Sequence, residues 1–306
     1  MIRVIYRSYG GENNKSRPDY YDKDLTLASF IRAAQRADIE VLFLNDGPIP
    51  PERLAVMSAA GQTRRIAAEP VGMRASYRTA WGLPKTLGWD PDTLVFFSED
   101  DYLYHADAFV ALAAADERLV DATYFALYGS TLRQMNPTEF VDESLYPANF
   151  TRRPDRTIDG VTWVNIPSTT SSFGGRAGAL AMDHPIMVQS MYPFRTRFQD
   201  HETCLVYQGT MPFVGREVLL GAPSSYPWTP WGVVRRLGLA PFRIAFNAHA
   251  WMRRNRPHPL YVAEPNLACH MEIPVMTPGR DWAAVAADTR AWMAAGRPRE
   301  TFGGGR

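Results

Sequence analysis

The chain has 306 residues, 46% hydrophobic and 12% aromatic, and its 33 basic and 32 acidic residues leave a net charge of +1. That length supports one large domain or two small ones, and the composition excludes a disordered or fibrous chain. The near-zero charge excludes a global field that would draw in nucleic acid, and two cysteines, Cys204 and Cys269, are too few for a disulfide framework.

The first segment, MIRVIYRSYGG, carries charge and lacks the apolar centre of a signal peptide. No run approaches the roughly 18 apolar residues of a membrane span, so a cytosolic protein is expected, with peripheral contact to a membrane as an addition. Ile2 to Arg7 predicts a strand, and Leu25 to Ala37 a helix with apolar residues at helical spacing. Ile39 to Asp46 predicts a second strand, PPERLAVMSAAG a helix with proline at its start, and TRRIAAE a third strand. VGMRASYRTAWGLPKTLG then predicts a helix and TLVFFSEDD a fourth strand. Alternating strands and helices imply a parallel, doubly wound sheet, whose ligands bind at the carboxyl ends of the strands. Beyond about residue 120 the rhythm breaks. DATYFALYG predicts a strand, TTSSFGGRAGAL a strand and glycine-rich turn entering a helix, and FQDHETCLVYQ a short helix headed by polar residues.

Chemistry concentrates at the expected strand ends. Glu99, Asp100 and Asp101 leave a buried strand together, and three adjacent carboxylates repel unless something positive lies among them. A divalent cation with hard oxygen ligands answers that need, and a solvated acidic loop is the plain alternative. Asp46 before Gly47 suits either a nucleotide contact or a turn. Arg74 and Arg78, four apart on one helix face, reach either phosphates or solvent. The acids at the head of FQDHETCL suit either a catalytic base or a helix N-terminus, and His270 either a metal site or the core.

The order of these pieces resembles the GT-A glycosyltransferases, above all their large family-two-like group. The resemblance rests on a strand ending in an acid before glycine, a glycine-started helix with arginines, and then DTLVFFSEDDYLYHADAF in the place of the D-x-D-type motif. It covers residues 2 to 110 well and continues more weakly to about 275. It implies an α/β fold of GT-A-like, Rossmann-like type, a doubly wound mostly parallel sheet with a mixed acceptor-side half. Residues 1–120 would form the nucleotide-sugar-binding half and 121–306 the acceptor half of one continuous domain, ending in a flexible tail.

The implied activity is transfer of a sugar from a nucleotide-diphosphate donor to the hydroxyl of a glycan or lipid-linked acceptor, with inversion and with Mn²⁺ or Mg²⁺. Position by position, Asp46 would contact the base, Glu99 the ribose and Asp101 the metal, while Asp100 shares either role. Arg7 and Ser8 would lie against base or ribose, Arg78 would hold the donor, and His270 would complete the metal site. Asp200 would be the catalytic base with Glu202 in reserve, since Gln199 replaces the motif's glutamate. A sugar-nucleotide pyrophosphorylase and a non-catalytic nucleotide-sugar-binding module are the alternatives; RSYGGENNKSRP matches the pyrophosphorylase signature poorly.

From Val218 to Ala263 there is no acid, while Arg235, Arg236, Arg243, Arg253, Arg254 and Arg256 lie among tryptophans and phenylalanines. Residues 228–256 thus offer a surface for anionic lipid. An acceptor's pyrophosphate and a plain charged loop are the other readings.

Overall fold

The computed structural model describes residues 1–37, 39–129, 146–170, 172–191, 200–222, 227–277 and 279–296. The expected flexible tail and Gln199 lie outside them. Nine strands form one sheet in the order β3-β2-β1-β4-β9-β6-β10-β8-β7. Its first part is built from β1 (Ile2–Tyr9), β2 (Ile39–Asp46), β3 (Gln62–Arg65) and β4 (Leu94–Glu99), all parallel. The helices between them are α1 (Lys23–Gln35), α2 (Pro51–Ala60) and α3 (Met73–Thr86).

Side chains alternate along each strand, and both faces are covered, so the middle positions of the central strands are apolar and the polar residues gather toward their ends. Val4, Tyr6, Phe43 and Phe96 face α1 and α4 (Ala108–Arg118) through Phe30 and Phe109. Ile5, Leu42, Leu44, Val95 and Phe97 share the other face with Tyr77 and Trp81 of α3 and with Leu180 and Met187 of α5 (Ala177–Ser190). The stripe Ser76, Tyr77, Ala80, Trp81, Leu83 and Pro84 is what turns α3 onto the sheet.

The same sheet continues into the second half without a break, and there it becomes mixed. β9 (Phe173–Arg176) runs antiparallel to both β4 and β6 (Tyr124–Ala126), and β10 (Leu260–Glu264) is parallel to β6. β8 (Val161–Asn165) and β7 (Arg156–Ile158) close that edge as an antiparallel pair. The glycine pair of β9 has a steric cause. A Cβ on Gly175 would lie 2.3 Å from the Tyr124 ring, and one on Gly174 2.8 Å from the Phe96 ring.

A separate ribbon matters most for the site. β5 (Tyr102–Tyr104) pairs antiparallel with β11 (Ala268–His270), with Tyr102 opposite His270. Two strands far apart in sequence thereby set His270 beside the acidic triplet. Tyr102 and Tyr104 are fully buried.

The remaining helices are α6 (Asp200–Tyr207), α7 (Glu217–Leu220), α8 (Pro230–Gly238), α9 (Ala240–Arg253) and α10 (Trp282–Ala294). Among the described residues no helix is long and apolar enough to cross a membrane. Three arginines of the acid-free segment turn inward. Buried Arg236 donates to the carbonyls of Leu220 and Ala222, and buried Arg243 to those of Val218, Leu219 and Arg236. Both satisfy carbonyls that the short α7 leaves open at its end. Arg253 instead pairs with buried Asp183 at 2.8 Å.

Candidate active site

β1 and β4 end side by side, and their register sets Arg7 directly opposite Glu99. The Arg7 guanidinium donates to Glu99 Oε1 and, at 3.0 Å, to Ser76 Oγ, while lying 3.9 Å over the Tyr77 ring. The Tyr77 hydroxyl donates to the same Glu99 oxygen at 2.5 Å. Glu99 is therefore aimed by one residue from β1 and one from α3.

Asp100 turns the other way. It accepts from the Tyr9 backbone N–H at 2.9 Å and from Lys23 Nζ at 2.9 Å. Lys23, the first residue of α1, is only 3% exposed, and its ammonium also donates to the Tyr9 and Gly11 carbonyls at 2.6 and 2.5 Å. Three acceptors for three N–H bonds explain how a charged lysine can be buried there.

Asp101, 4% exposed, gathers three partners on Oδ2: Lys15 Nζ at 3.1 Å, Arg17 Nη2 at 3.0 Å and His270 Nε2 at 3.0 Å. Burial alone raises its pKa, but the His270 hydrogen bond and the charges of His270, Lys15 and Arg17 outweigh that and hold the carboxyl well below the usual range. The repulsion within the triplet is thus relieved by the chain's own cations, a different one for each acid.

The other expected nucleotide residues separate. Ser8 is buried and donates to Asn45 Oδ1 at 2.9 Å. Asp46 accepts from the Val71 and Gly72 backbone N–H groups at 2.7 and 3.1 Å, which anchors the turn entering α3. Gly72 adopts φ +83°, a conformation that suits glycine. Arg78 is exposed on α3, and Arg74 donates to the Met191 carbonyl at 2.8 Å.

Asp200 opens α6 and lines a cavity with Tyr77, Trp81, Thr170, Phe173 and Thr203. Tyr77 belongs both to this cavity and to the Glu99 site, so the two adjoin. Glu202 does not line it; two residues further on, it lies about 200° round the helix. Cys204 also faces the cavity, but burial pushes its thiol up to about 12, which leaves it protonated.

A divalent cation on Asp101 and His270 meets a crowded place. Both are competent ligand types, yet Lys15 Nζ lies 3.1 Å from His270 Nε2 and 3.3 Å from Glu272 Oε2 as well as on Asp101. Among the described residues no three His, Cys, Asp or Glu side chains converge to hold a metal ion. As arranged, the donor set suits an ammonium and does not fit a resident metal.

Lys15, Arg17, Lys23 and Tyr77 are the site residues that the sequence does not single out. The available signal is the basic loop NNKSRPDYYDK, which follows directly from a strand end at the expected ligand edge.

No protein-family model matches the chain, and no curated protein matches it by sequence. Among solved structures it is similar to a TarS fragment from S. aureus, at 14% identity and a TM-score of 0.40, over 67% of this chain and 55% of that one. It is also similar to a 4-diphosphocytidyl-2C-methyl-D-erythritol synthase from Anaerococcus prevotii, at 11% identity and a TM-score of 0.36, over 68% of this chain and 84% of that one. A third is glucosyl-3-phosphoglycerate synthase from Mycobacterium tuberculosis in complex with Mn²⁺, UDP and glucosyl-3-phosphoglycerate, at 11% identity and a TM-score of 0.35, over 60% of this chain and 63% of that one. The chain thus spans about half the length of the TarS fragment.

Proposed function

We propose that the chain is a glycosyltransferase that moves a sugar from a nucleotide-diphosphate donor to the hydroxyl of a glycan or lipid-linked acceptor. The observation that carries this reading is one edge of the sheet. There Glu99, Asp100 and Asp101 meet Arg7, Lys15, Arg17 and Tyr77, beside a cavity that ends on Asp200. The guanidinium and ammonium groups suit a diphosphate, and Glu99, held by Arg7 and Tyr77, suits a ribose hydroxyl. Asp200 would take the acceptor's proton as its oxygen attacks the anomeric carbon, and a single displacement of this kind inverts that centre.

A cation held by Asp101 and His270 is the second reading of how the diphosphate is neutralised. The 3.0 Å contact between those side chains favours it, and Lys15 at the same point speaks against it.

A thermal-shift panel of UDP-, GDP- and dTDP-sugars identifies the donor, because a ligand that binds only the native state raises the melting temperature. With that donor, Asp200→Asn is expected to lose roughly 10²- to 10⁴-fold in turnover while keeping donor affinity, and Glu202→Gln to stay near wild type. Full turnover in Asp200→Asn sinks the base assignment. Pyrophosphate release from sugar phosphate and nucleoside triphosphate would point to a pyrophosphorylase instead.

The acceptor side suits an anionic membrane surface. Trp228, Trp231 and Trp251 are 62%, 68% and 55% exposed, Val234, Leu237, Ile244 and Met252 are exposed with them, and Arg235, Arg254 and Arg256 lie in the same acid-free stretch. Apolar anchors with arginines and no carboxylate match the chemistry of an interfacial helix pair. Flotation with phosphatidylglycerol vesicles should recover the protein, and Trp231→Ser with Trp251→Ser should abolish recovery. Equal flotation with phosphatidylcholine vesicles would remove the electrostatic part of this reading.

A further inference from the structure

The loop between β1 and α1 is strapped to the segment that follows β11 at the point where it meets Asp101. Arg17 Nη1 donates to the Met271 carbonyl at 2.7 Å, and the Ile273 N–H donates to the Ser16 carbonyl at 2.9 Å. Arg17 also lies 4.5 Å over the Tyr21 ring. Lys15, between these ties, is held with its ammonium on Asp101 and Glu272, 3.1 Å from His270 Nε2. Its side chain is 32% exposed, against 27% for Glu272, 12% for Arg17 and 6% for Asp101, so Lys15 is the cation of this cluster that a ligand can reach.

The carboxylates and the lysine and arginine side chains around the triplet, His270 apart, also balance. Glu99, Asp100, Asp101 and Glu272 supply four negative charges, and Arg7, Lys15, Arg17 and Lys23 four positive ones, each ion-paired within the set. A divalent cation on Asp101 would stand against two fixed positive charges already bound to the same oxygen. A diphosphate arriving without a metal would meet an exposed ammonium backed by a guanidinium.

We propose that Lys15, supported by Arg17, is the built-in cation of this site and receives the nucleoside diphosphate without a divalent metal. The inference rests on the glycosyltransferase reading above. In the transfer step the acceptor oxygen bonds to the anomeric carbon as the bond from that carbon to the β-phosphate oxygen breaks. The electron pair leaves on the diphosphate, where Lys15 meets the added negative charge, and the acceptor's proton goes to Asp200. Asp101 and Glu272 then serve to aim and restrain the ammonium, and His270 holds Asp101 in place from the other side.

The test is calorimetric binding of UDP, GDP and dTDP to the full chain, in excess EDTA and again with Mn²⁺. For whichever nucleotide binds, equal affinity in the two conditions is expected. Lys15→Ala should weaken it roughly tenfold or more in both, and Lys15→Arg should keep most of it. The melting temperature of each variant shows that it remains folded. Binding that appears only with Mn²⁺ overturns the proposal but leaves the glycosyltransferase reading standing. So does a Lys15→Ala variant that binds Mn²⁺ and nucleotide more tightly than wild type, because Lys15 would then be an obstacle to the metal. If none of the three nucleotides binds in either condition, both readings fall together.

Discussion

Lys23 and Asp100 form an ion pair at 2.9 Å in which the lysine side chain is 1% exposed and the aspartate 13%. The pair ties the first turn of α1 to the end of β4, and through the Tyr9 and Gly11 carbonyls it also fixes the exit of β1. Lys23→Met keeps much of the volume and removes the charge, leaving Asp100 and two carbonyls short of a donor. The expected cost is about 3 kcal/mol, seen as a lower urea midpoint with an unchanged slope. Combining it with Asp100→Asn should recover part of that loss, because the uncompensated charge is gone. A single variant as stable as wild type would show that the pair is dispensable.

Tyr77 joins the two sides of the site, with its hydroxyl on Glu99 and its ring both under Arg7 and in the cavity wall that Asp200 shares. Tyr77→Phe removes one charge-assisted hydrogen bond and leaves the ring contacts. A loss of about 1 to 2 kcal/mol of stability is expected. In kinetics the donor KM should rise severalfold with kcat little changed, since Glu99 would be less well aimed at a group distant from the reacting bond. A fall in kcat at constant KM would move Tyr77 toward the chemistry.

The strand from Ile39 to Asp46 is legible at both ends, because a β-branched and apolar run stops at an Asp-Gly turn. The triplet's place at the sheet's carboxyl edge is legible for the same reason. The third strand is shorter than TRRIAAE suggests, ending at Arg65, since this exposed edge strand has no second neighbour to extend it. The first helix starts at Lys23, because the Asp22 side chain accepts from the Leu25 N–H at 2.6 Å. That start puts Lys23 inside the structure, where composition alone suggests a solvated flank. Lys15 and Arg17 were not legible as site residues. Their loop has no periodicity, and their partners Asp101, His270 and Glu272 lie 84 to 257 positions away, brought near by the sheet and the β5–β11 ribbon.

Gly175 tests the packing of the mixed half directly. It pairs with Tyr124 across β9 and β6, and a methyl group there would meet the Tyr124 ring at 2.3 Å. That ring also packs on Tyr207 at 4.4 Å, and its hydroxyl donates to buried Asp183, so it cannot swing aside freely. Gly175→Ala should destabilise by about 1 to 3 kcal/mol through overpacking. A melting temperature equal to that of wild type would mean that β9 shifts to make room.

Asp101 predicts how stability depends on acid. Its folded-state pKa is depressed below the ordinary 3.8, so its pairing with His270, Lys15 and Arg17 contributes fully at pH values above 3.8. Below that the unfolded chain takes up the proton first, and the contribution falls steadily as the pH descends toward the folded-state value. Asp101→Asn should therefore be less stable than wild type at neutral pH by about 3 kcal/mol, because three cationic or donor groups lose a buried carboxylate. The gap should narrow as the pH is lowered through 4 and below, where wild type loses what the variant never had. Urea denaturation of both proteins across that range measures the gap; a difference that stays constant with pH would mean that Asp101 is not the charged partner in this cluster.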